Sequence, residues 1–192
     1  KNTDGKYFTV EEYQESIKEF QTDKDGQLVM LYATDQDAQY TYIEKAKERG
    51  YDVLLMEGAL DNHYINHMEQ KLEKSKFARV DADTIDKLIA KDLDIPSKLT
   101  EEQQNEIKPL FEVAVDTKSY TIVFESLSES DHPVSITQPE FMRRMKDMQE
   151  MGGGGMSFYG DLPDQYNLVV NSNHSLVNDL LTEEDGDRKQ QL

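Results

Sequence analysis

The chain has 192 residues, of which 36% are hydrophobic and 31% are charged, a composition typical of a folded protein with one large domain or two small ones. Its 39 acidic residues outnumber its 21 basic residues and give a net charge of −18, which argues against nucleic acid and anionic membranes as partners. Cysteine is absent, so the sequence predicts no disulfides, and no apolar run approaches the roughly 18 residues of a membrane span. The sequence therefore predicts no membrane anchor and fits a cytoplasmic protein.

Residues 1–95 are predicted to form an α/β unit, since apolar strands alternate with amphipathic helices along them. A capping box, Thr9 with Glu12, opens the first helix, which we expect to end near Phe20. The later predicted elements are a strand at 27–34, a helix at 38–49, a strand at 51–56, a helix at 61–74, a strand at 76–80 and a helix at 84–91. These crossovers predict a small, mainly parallel sheet that is covered by helices on both faces.

Residues 96–182 are predicted to form a second, α+β domain after a linker at 94–98. Thr100 and Gln103 form another capping box, and Pro109 is expected to kink or end the helix that follows. The remaining predicted elements are strands at 118–126 and 134–137, a helix at 140–151, a strand at 166–171 and a helix at 174–181. We expect the first two strands to pair as an antiparallel hairpin in a mostly antiparallel sheet, and residues 183–192 to be a disordered tail.

The most informative segment is the predicted helix 140–151 with the residues that follow it. At about 100° per residue, one face of this helix is apolar and the opposite face is charged. The apolar face consists of Phe141, Met142, Met145, Met148 and Met151, and the charged face consists of Arg143, Lys146, Asp147 and Glu150. Four glycines, 152–155, then leave Met156 and Phe158 on a flexible tether.

Two interpretations of the Met-rich face stay open from the residues alone. Methionine side chains are flexible and polarisable, so a face lined with them favours a surface that binds apolar partners of varied shape. An ordinary amphipathic helix whose Met face is buried in its own domain would show the same pattern.

The sequence matches catalytic and metal-binding motifs only in part. His63 and His67 lie one helical turn apart, but Tyr64 stands where a zinc protease needs its glutamate, so we interpret both histidines as solvent-facing. Residues 23–26 are interpreted as a turn rather than a calcium loop, because their glycine comes too early and no glutamate closes the loop. The glycines 152–155 lack the Lys-Ser/Thr pair of a phosphate-binding loop. We therefore expect no catalytic, metal-binding or cofactor-binding residue in this chain.

Several segments, in this order along the chain, resemble the ninety-kilodalton heat-shock chaperones, the heat shock protein 90 family. Residues 50–54, Gly-Tyr-Asp-Val-Leu, are similar to the family's Gly-Tyr-Glu-Val-Leu, and residues 169–177 resemble its Glu-Ile-Asn-Pro-Asp-His-Pro-Ile-Val. The resemblance continues through residues 8–13, 27–34, 60–64 and 134–137 with the Met-containing helix, and so covers nearly the whole chain. Ser172 and Ser175 stand where the family usually has prolines. Gly58 and Ala59 replace its Asp-Pro, and the glycine run at 152–155 is unusual. These departures indicate a divergent member of the bacterial branch, the high-temperature protein G type.

The resemblance implies part of an ATP-dependent molecular chaperone of the stress response that binds unfolded or partly folded client proteins. Residues 1–95 would be the C-terminal part of its middle domain, and 96–182 its C-terminal domain without the final dimerisation helices. ATP, Mg and the catalytic arginine would belong to segments outside this chain, which begins at Lys1 and is expected to be a fragment. The parent protein would be a homodimer, whereas we expect this chain to be a monomer or weak dimer, because its tail after Leu181 offers no apolar seam.

Client contact in the bacterial branch falls, by matching positions, on Phe141, Met145 and Met148. We therefore predict that clients bind the apolar face of the Met-rich helix together with Met156 and Phe158.

Two other functions are compatible with the residues. The first is an α/β ligand-binding regulatory module with an appended protein-interaction helix, because parallel α/β units often bind small molecules at their strand ends. Those ends, at 33–35 and 57–59, carry acids and no glycine-rich turn, which argues against a dinucleotide as the ligand. The second is a stand-alone adaptor whose Met-rich helix docks one fixed partner.

Overall fold

The computed structural model describes the backbone of residues 1–58, 60–91, 95–151 and 164–182, and the side chains of all of these except 146–151. The chain forms two compact units, Lys1–Leu93 and Asp94–Leu192. The predicted glycine tether at 152–155, with Met156 and Phe158, and the predicted disordered tail at 183–192 lie outside the described residues. The assignment of 1–95 and 96–182 to two domains of the family stays a prediction.

The first unit alternates helices and strands as predicted. Its elements are α1 (Val10–Gln21), β1 (Leu28–Ala33), α2 (Tyr40–Glu48), β2 (Val53–Leu55), α3 (Asp61–Lys71), β3 (Ser75–Arg79) and α4 (Ile85–Leu88). The strands form an all-parallel sheet in the order β2–β1–β3, in which Leu31 of β1 lies opposite Val53 and Ala78. The predicted α/β class is therefore confirmed for this unit.

The central strand β1 contributes to a hydrophobic core on each face of this sheet. Val29, Leu31 and Ala33 pack with the buried residues of α2 and α4, whereas Met30 and Tyr32 pack with those of α1 and α3. Successive side chains of a strand point to opposite faces, so a strand that is apolar at every position needs cover on both. The continuous apolar run at 28–33 therefore explains why helices cover both faces of the sheet.

The second unit consists of a mixed sheet with helices. Its elements are α5 (Glu101–Ala114), β4 (Tyr120–Glu125), β5 (Val134–Thr137), α6 (Glu140–Met151), β6 (Tyr166–Asn171) and α7 (Ser175–Thr182). The strand order is β4–β6–β5, with β4 parallel and β5 antiparallel to β6. Its core joins buried residues of α5, the sheet and α7, among them Ile107, Leu168 and Val177.

The predicted antiparallel hairpin of the first two strands is wrong, because β6 lies between β4 and β5. The sheet is consequently mixed, with one parallel and one antiparallel pairing, rather than mostly antiparallel. The physical reason is that β6 is buried over its last four residues, from Leu168 to Asn171, whereas β4 and β5 are only partly buried. A strand that is apolar on both faces is best placed at the centre of a sheet.

Pro109 does not end its helix, since α5 continues through it to Ala114. A proline inside a helix removes the hydrogen bond to the carbonyl four residues earlier, here that of Asn105. Both Pro109 and Asn105 are exposed, so water can hydrate this carbonyl. The predicted capping boxes are confirmed at Thr9–Glu12 and Thr100–Gln103, which begin α1 and α5.

Asn173 connects three parts of the second unit, inside the segment that resembles the chaperone family. The side-chain amide of this buried residue donates to the carbonyls of Pro96 (3.2 Å) and Leu127 (3.0 Å). Its Oδ1 atom accepts from the backbone N–H of Lys98 (2.7 Å), and its own N–H donates to Oδ1 of Asn171 (3.0 Å). The family-like Asn-Ser-Asn-His segment therefore stabilises the fold.

We expect the Asn173→Ala substitution to lower the free energy of unfolding by about 1 to 3 kcal/mol, because it leaves the carbonyl of the buried Leu127 without its hydrogen-bond partner. Urea unfolding followed by circular dichroism would measure this loss. Asn105→Ala, on the exposed side of α5, is the matched control and should change the free energy by less than about 0.5 kcal/mol. Equal effects of the two substitutions would contradict the structural role of Asn173.

Candidate functional site

The apolar side of α6 faces outward in the second unit. Phe141 is 71% exposed and Met145 is 43% exposed, and Met142 beside them is partly buried. None of these three residues belongs to the hydrophobic core that α5 and α7 share with the sheet. The side chains of Met148 and Met151 lie outside the described part of the structure. The described residues thus show a solvent-facing apolar surface, formed by Phe141, Met142 and Met145, which we call the α6 surface.

The basic side chain on the opposite side of α6 is buried. Arg143, which the helical pattern places on the charged face of α6, is only 4% exposed. Its backbone N–H donates to the carbonyl of Pro139 (3.1 Å), which fixes it in the first turn of the helix. The structure therefore places Arg143 opposite the apolar side, as the helical pattern predicts, and buries it in an ion pair with Glu140.

Glu140 is the partner that makes this burial possible. Its Oε1 atom accepts a hydrogen bond from Nη2 of Arg143 (2.8 Å) and another from Nε of Arg144 (2.7 Å). Burial disfavours the charged form of Glu140, but the positive charges and hydrogen bonds of Arg143 and Arg144 outweigh it and hold the pKa of Glu140 below its usual range. The carboxylate also lies in the first turn of α6, where the helix dipole favours negative charge.

The depressed pKa of Glu140 gives the stability of the second unit a defined pH dependence. A carboxyl group of this kind stabilises the fold above its unfolded pKa of about 4.3, and this contribution is lost as the pH falls through the folded pKa. We expect Glu140→Gln to lower the free energy of unfolding by about 1 to 2 kcal/mol near neutral pH. Urea unfolding of both proteins as a function of pH should show this difference vanishing in acid, and a difference independent of pH would contradict the ion pair.

The carboxyl end of β1, where an α/β unit would bind a phosphate, is occupied by the chain itself. The backbone N–H groups of Thr34 and Asp35 donate to Oε1 of the buried Gln39 (2.8 and 3.1 Å). The N–H groups of Asp37 and Ala38, later in the same turn, donate to the Asp35 carboxylate (3.0 and 2.9 Å). Because these donors are already engaged, this turn offers no cradle for an anion.

A cavity of about 340 Å³ lies on the α1 and α3 side of the first sheet. Its wall combines apolar side chains such as Met30 and Phe77 with polar ones, among them Lys1 and Tyr64. Thr9, Tyr13 and Asp61, which are polar groups at this wall, are already hydrogen-bonded within the chain, to Glu12, Asp52 and Gly58 respectively. A specific small-molecule site needs polar groups that converge on the ligand, whereas Thr9, Tyr13 and Asp61 bond within the chain instead.

His63 and His67 are both exposed on α3, as the sequence predicted. Across residues 1–58, 60–91, 95–151 and 164–182, no group of three or more His, Asp or Glu side chains is placed to hold a metal ion. Within the same ranges, no helix has both the length and the apolar character needed to cross a membrane.

Comparison with known protein families shows which family this chain belongs to. All of residues 1–192 match the family described as Hsp90 protein. The chain belongs to the Hsp90 family. The resemblance inferred from the sequence is thereby confirmed, and the outward-facing α6 surface is a feature of an Hsp90-family fold.

Curated Hsp90-family relatives come from bacteria and are named chaperone protein HtpG. Those of Bacteroides fragilis (strain YCH46) and Bacteroides thetaiotaomicron are each 47% identical to this chain over 187 residues, and that of Porphyromonas gingivalis is 46% identical over 184 residues. These alignments cover 96%, 96% and 94% of this chain. They cover only 27% of each relative, so the chain spans about a quarter of the length of the chaperones it matches.

Sequence reasoning did not identify Glu140 and Gln39, which the structure places at the two sites described above. The ion pairs of Glu140 could have been predicted from the sequence. Arg143 and Arg144 follow it at the spacings of three and four residues, where opposite charges meet on a helix. The burial of Gln39 could not have been predicted, since no sequence pattern indicates that a glutamine before a helix is buried.

Proposed function

We propose that this chain is part of an ATP-dependent molecular chaperone, to which it contributes a binding surface for unfolded or partly folded client proteins. Its Hsp90-family membership and the chaperone names of its relatives support the general function. The α6 surface supports the specific role, because unfolded proteins expose apolar segments that an apolar surface can cover.

The observation that carries this proposal is the exposure of Phe141 and Met145 on a helix whose buried side holds Arg143. In an ordinary amphipathic helix the apolar side is the buried one. The unbranched Met side chains of this surface can adapt to clients of different shape, as a promiscuous binding surface requires. The helical period of the sequence places Met148 on the same side, and we propose that Met148, Met151, Met156 and Phe158 extend this surface.

We expect the double substitution Phe141→Ser with Met145→Ser to weaken the capacity of the chain to hold an aggregating client. Reduced α-lactalbumin is a suitable client, since the reductant that unfolds it has no target in a chain without cysteine. Light scattering would follow its aggregation. The melting temperature should stay nearly unchanged, because both replaced side chains already face water, whereas burial would make each loss cost about 2 to 5 kcal/mol.

Val113→Ser is the matched control for this experiment. Val113 is 82% exposed on α5 of the same unit, but it lies outside the α6 surface. Its substitution should leave client holding intact. Equal loss with Val113→Ser, or a large drop in melting temperature with the double substitution, would count against a client-binding role of the α6 surface.

ATP and Mg are proposed to bind the parent chaperone outside this chain, which is therefore proposed to have no ATPase activity of its own. The engaged N–H groups of the β1–α2 turn support this, because a phosphate would compete with Gln39 and Asp35 for the same donors. We expect calorimetric titration with Mg-ATP to show no specific heat of binding. A dissociation constant in the micromolar range would overturn both this proposal and the assignment of residues 1–95 to the middle domain.

The assembly of the parent protein is also proposed from the family resemblance. It would be a cytoplasmic homodimer, and this chain by itself would be a monomer or weak dimer. The net charge of −18 supports weak self-association, since two copies repel each other at low salt.

A further inference from the structure

The methionines of this chain differ in their access to solvent. The structure describes five methionine side chains, those of Met30, Met56, Met68, Met142 and Met145. Met30 belongs to the core on the α1 and α3 side of the first sheet, and Met56 and Met68 pack against that core. Met142 is partly buried, whereas Met145 is 43% exposed. Among the described side chains, Met145 is therefore the methionine that a dissolved reagent reaches most easily.

Exposure matters for methionine because its thioether sulfur reacts with peroxides. The sulfur lone pair attacks one oxygen of hydrogen peroxide, so that an S–O bond forms and the O–O bond breaks. The proton on the transferred oxygen passes to the departing hydroxide, which leaves as water. The sulfur is oxidised by two electrons and the peroxide is reduced by two. Because the chain has no cysteine, no thiolate of its own competes for the oxidant.

Oxidation of Met145 would change the α6 surface without placing a polar group in a core. A sulfoxide oxygen accepts hydrogen bonds from water, so a client that covers it has to remove that hydration. Met145 does not belong to the hydrophobic core of the second unit, and its oxidation therefore leaves that core intact. Met30 is only 2% exposed, and the same reaction there would put a polar oxygen inside the first unit.

We propose that Met145 is a reversible oxidation site, at which hydrogen peroxide lowers the affinity of the α6 surface for clients. The effect on clients rests on the proposed client-binding role, but the modification itself can be measured without a client. Methionine sulfoxide reductases, one for each epimer of the sulfoxide, would restore the thioether and with it the apolar surface.

Site-resolved mass spectrometry of the full chain tests the modification. During treatment of the folded chain with hydrogen peroxide, we expect Met145 to be oxidised about tenfold faster than Met30, because a buried thioether reacts only when its surroundings open. In urea the two rates should converge, since unfolding removes the difference in exposure. Similar rates at the two methionines in the folded chain would overturn the proposal.

The α-lactalbumin assay tests the effect on clients. Met148, Met151 and Met156 are first replaced by Leu, which keeps them apolar and leaves Met142 and Met145 as the methionines of the second unit. Peroxide is removed before the client and its reductant are added. We expect oxidation of this variant to raise the chain concentration that halves aggregation by about fivefold, since clients would have to cover a polar oxygen. The melting temperature should stay nearly unchanged.

Met145→Leu in the same background is the matched control, because Leu keeps the surface apolar and has no sulfur. It should hold the client equally well before and after peroxide treatment, and incubation with both reductases should restore holding in the variant that retains Met145. An equal loss of holding in the Met145→Leu control would overturn the proposal, since another group would then cause the loss. A large drop in the melting temperature of the oxidised chain would overturn it too.

These measurements separate failure of the oxidation site from failure of the proposed function. If Met145 is oxidised without any loss of holding, although the double substitution of Phe141 and Met145 weakens holding, the client site stands and the proposed effect of oxidation is wrong. If the double substitution leaves holding intact, the client-binding role fails. Faster oxidation of Met145 than of Met30 would in that case still support Met145 as an oxidation site.

Discussion

A polar group that leaves water needs a partner inside the protein, and this constraint decides the important features of both units. Arg143 is buried in the second unit and donates a hydrogen bond to Glu140, while Phe141 and Met145 on the other side of α6 face solvent. Gln39 is buried at the end of β1 because it satisfies the N–H groups of the following turn. In each case the buried polar side chain has a hydrogen-bond partner within its own unit.

The same constraint explains why the family-like segment at the end of β6 is polar although it is buried. Asn171, Ser172 and Asn173 are all inaccessible to solvent, and the amide of Asn173 joins the segment before α5 to the loop after β4. An asparagine amide offers donors and an acceptor on a short side chain, so one residue can satisfy several backbone groups that belong to no strand or helix. A hydrophobic residue of similar size would fill the space and leave these backbone groups without partners.

An exposed apolar surface usually carries a risk of aggregation, and the composition of this chain counteracts it. The net charge of −18 makes copies repel one another, and the apolar residues of α6 are mostly methionine rather than the β-branched and aromatic residues that favour strand pairing. These properties are compatible with a surface that meets clients of many sequences. They also fit a family member whose curated relatives are chaperones.

The sequence alone determined the elements, because helix caps and hydrophobic periods are local. Thr9 and Thr100 begin helices where predicted, the apolar run at 28–33 forms the central parallel strand, and the family was evident from residues 50–54 and 169–177. Only the tertiary structure decided that β6 separates β4 from β5, since strand order depends on which strand buries both faces and not on which strands are neighbours in sequence. It also decided the rotation of α6. The helical period identifies an apolar side and a charged side, but the exposure of each side is set by what surrounds the helix in the fold, where Arg143 is buried and Phe141 is exposed.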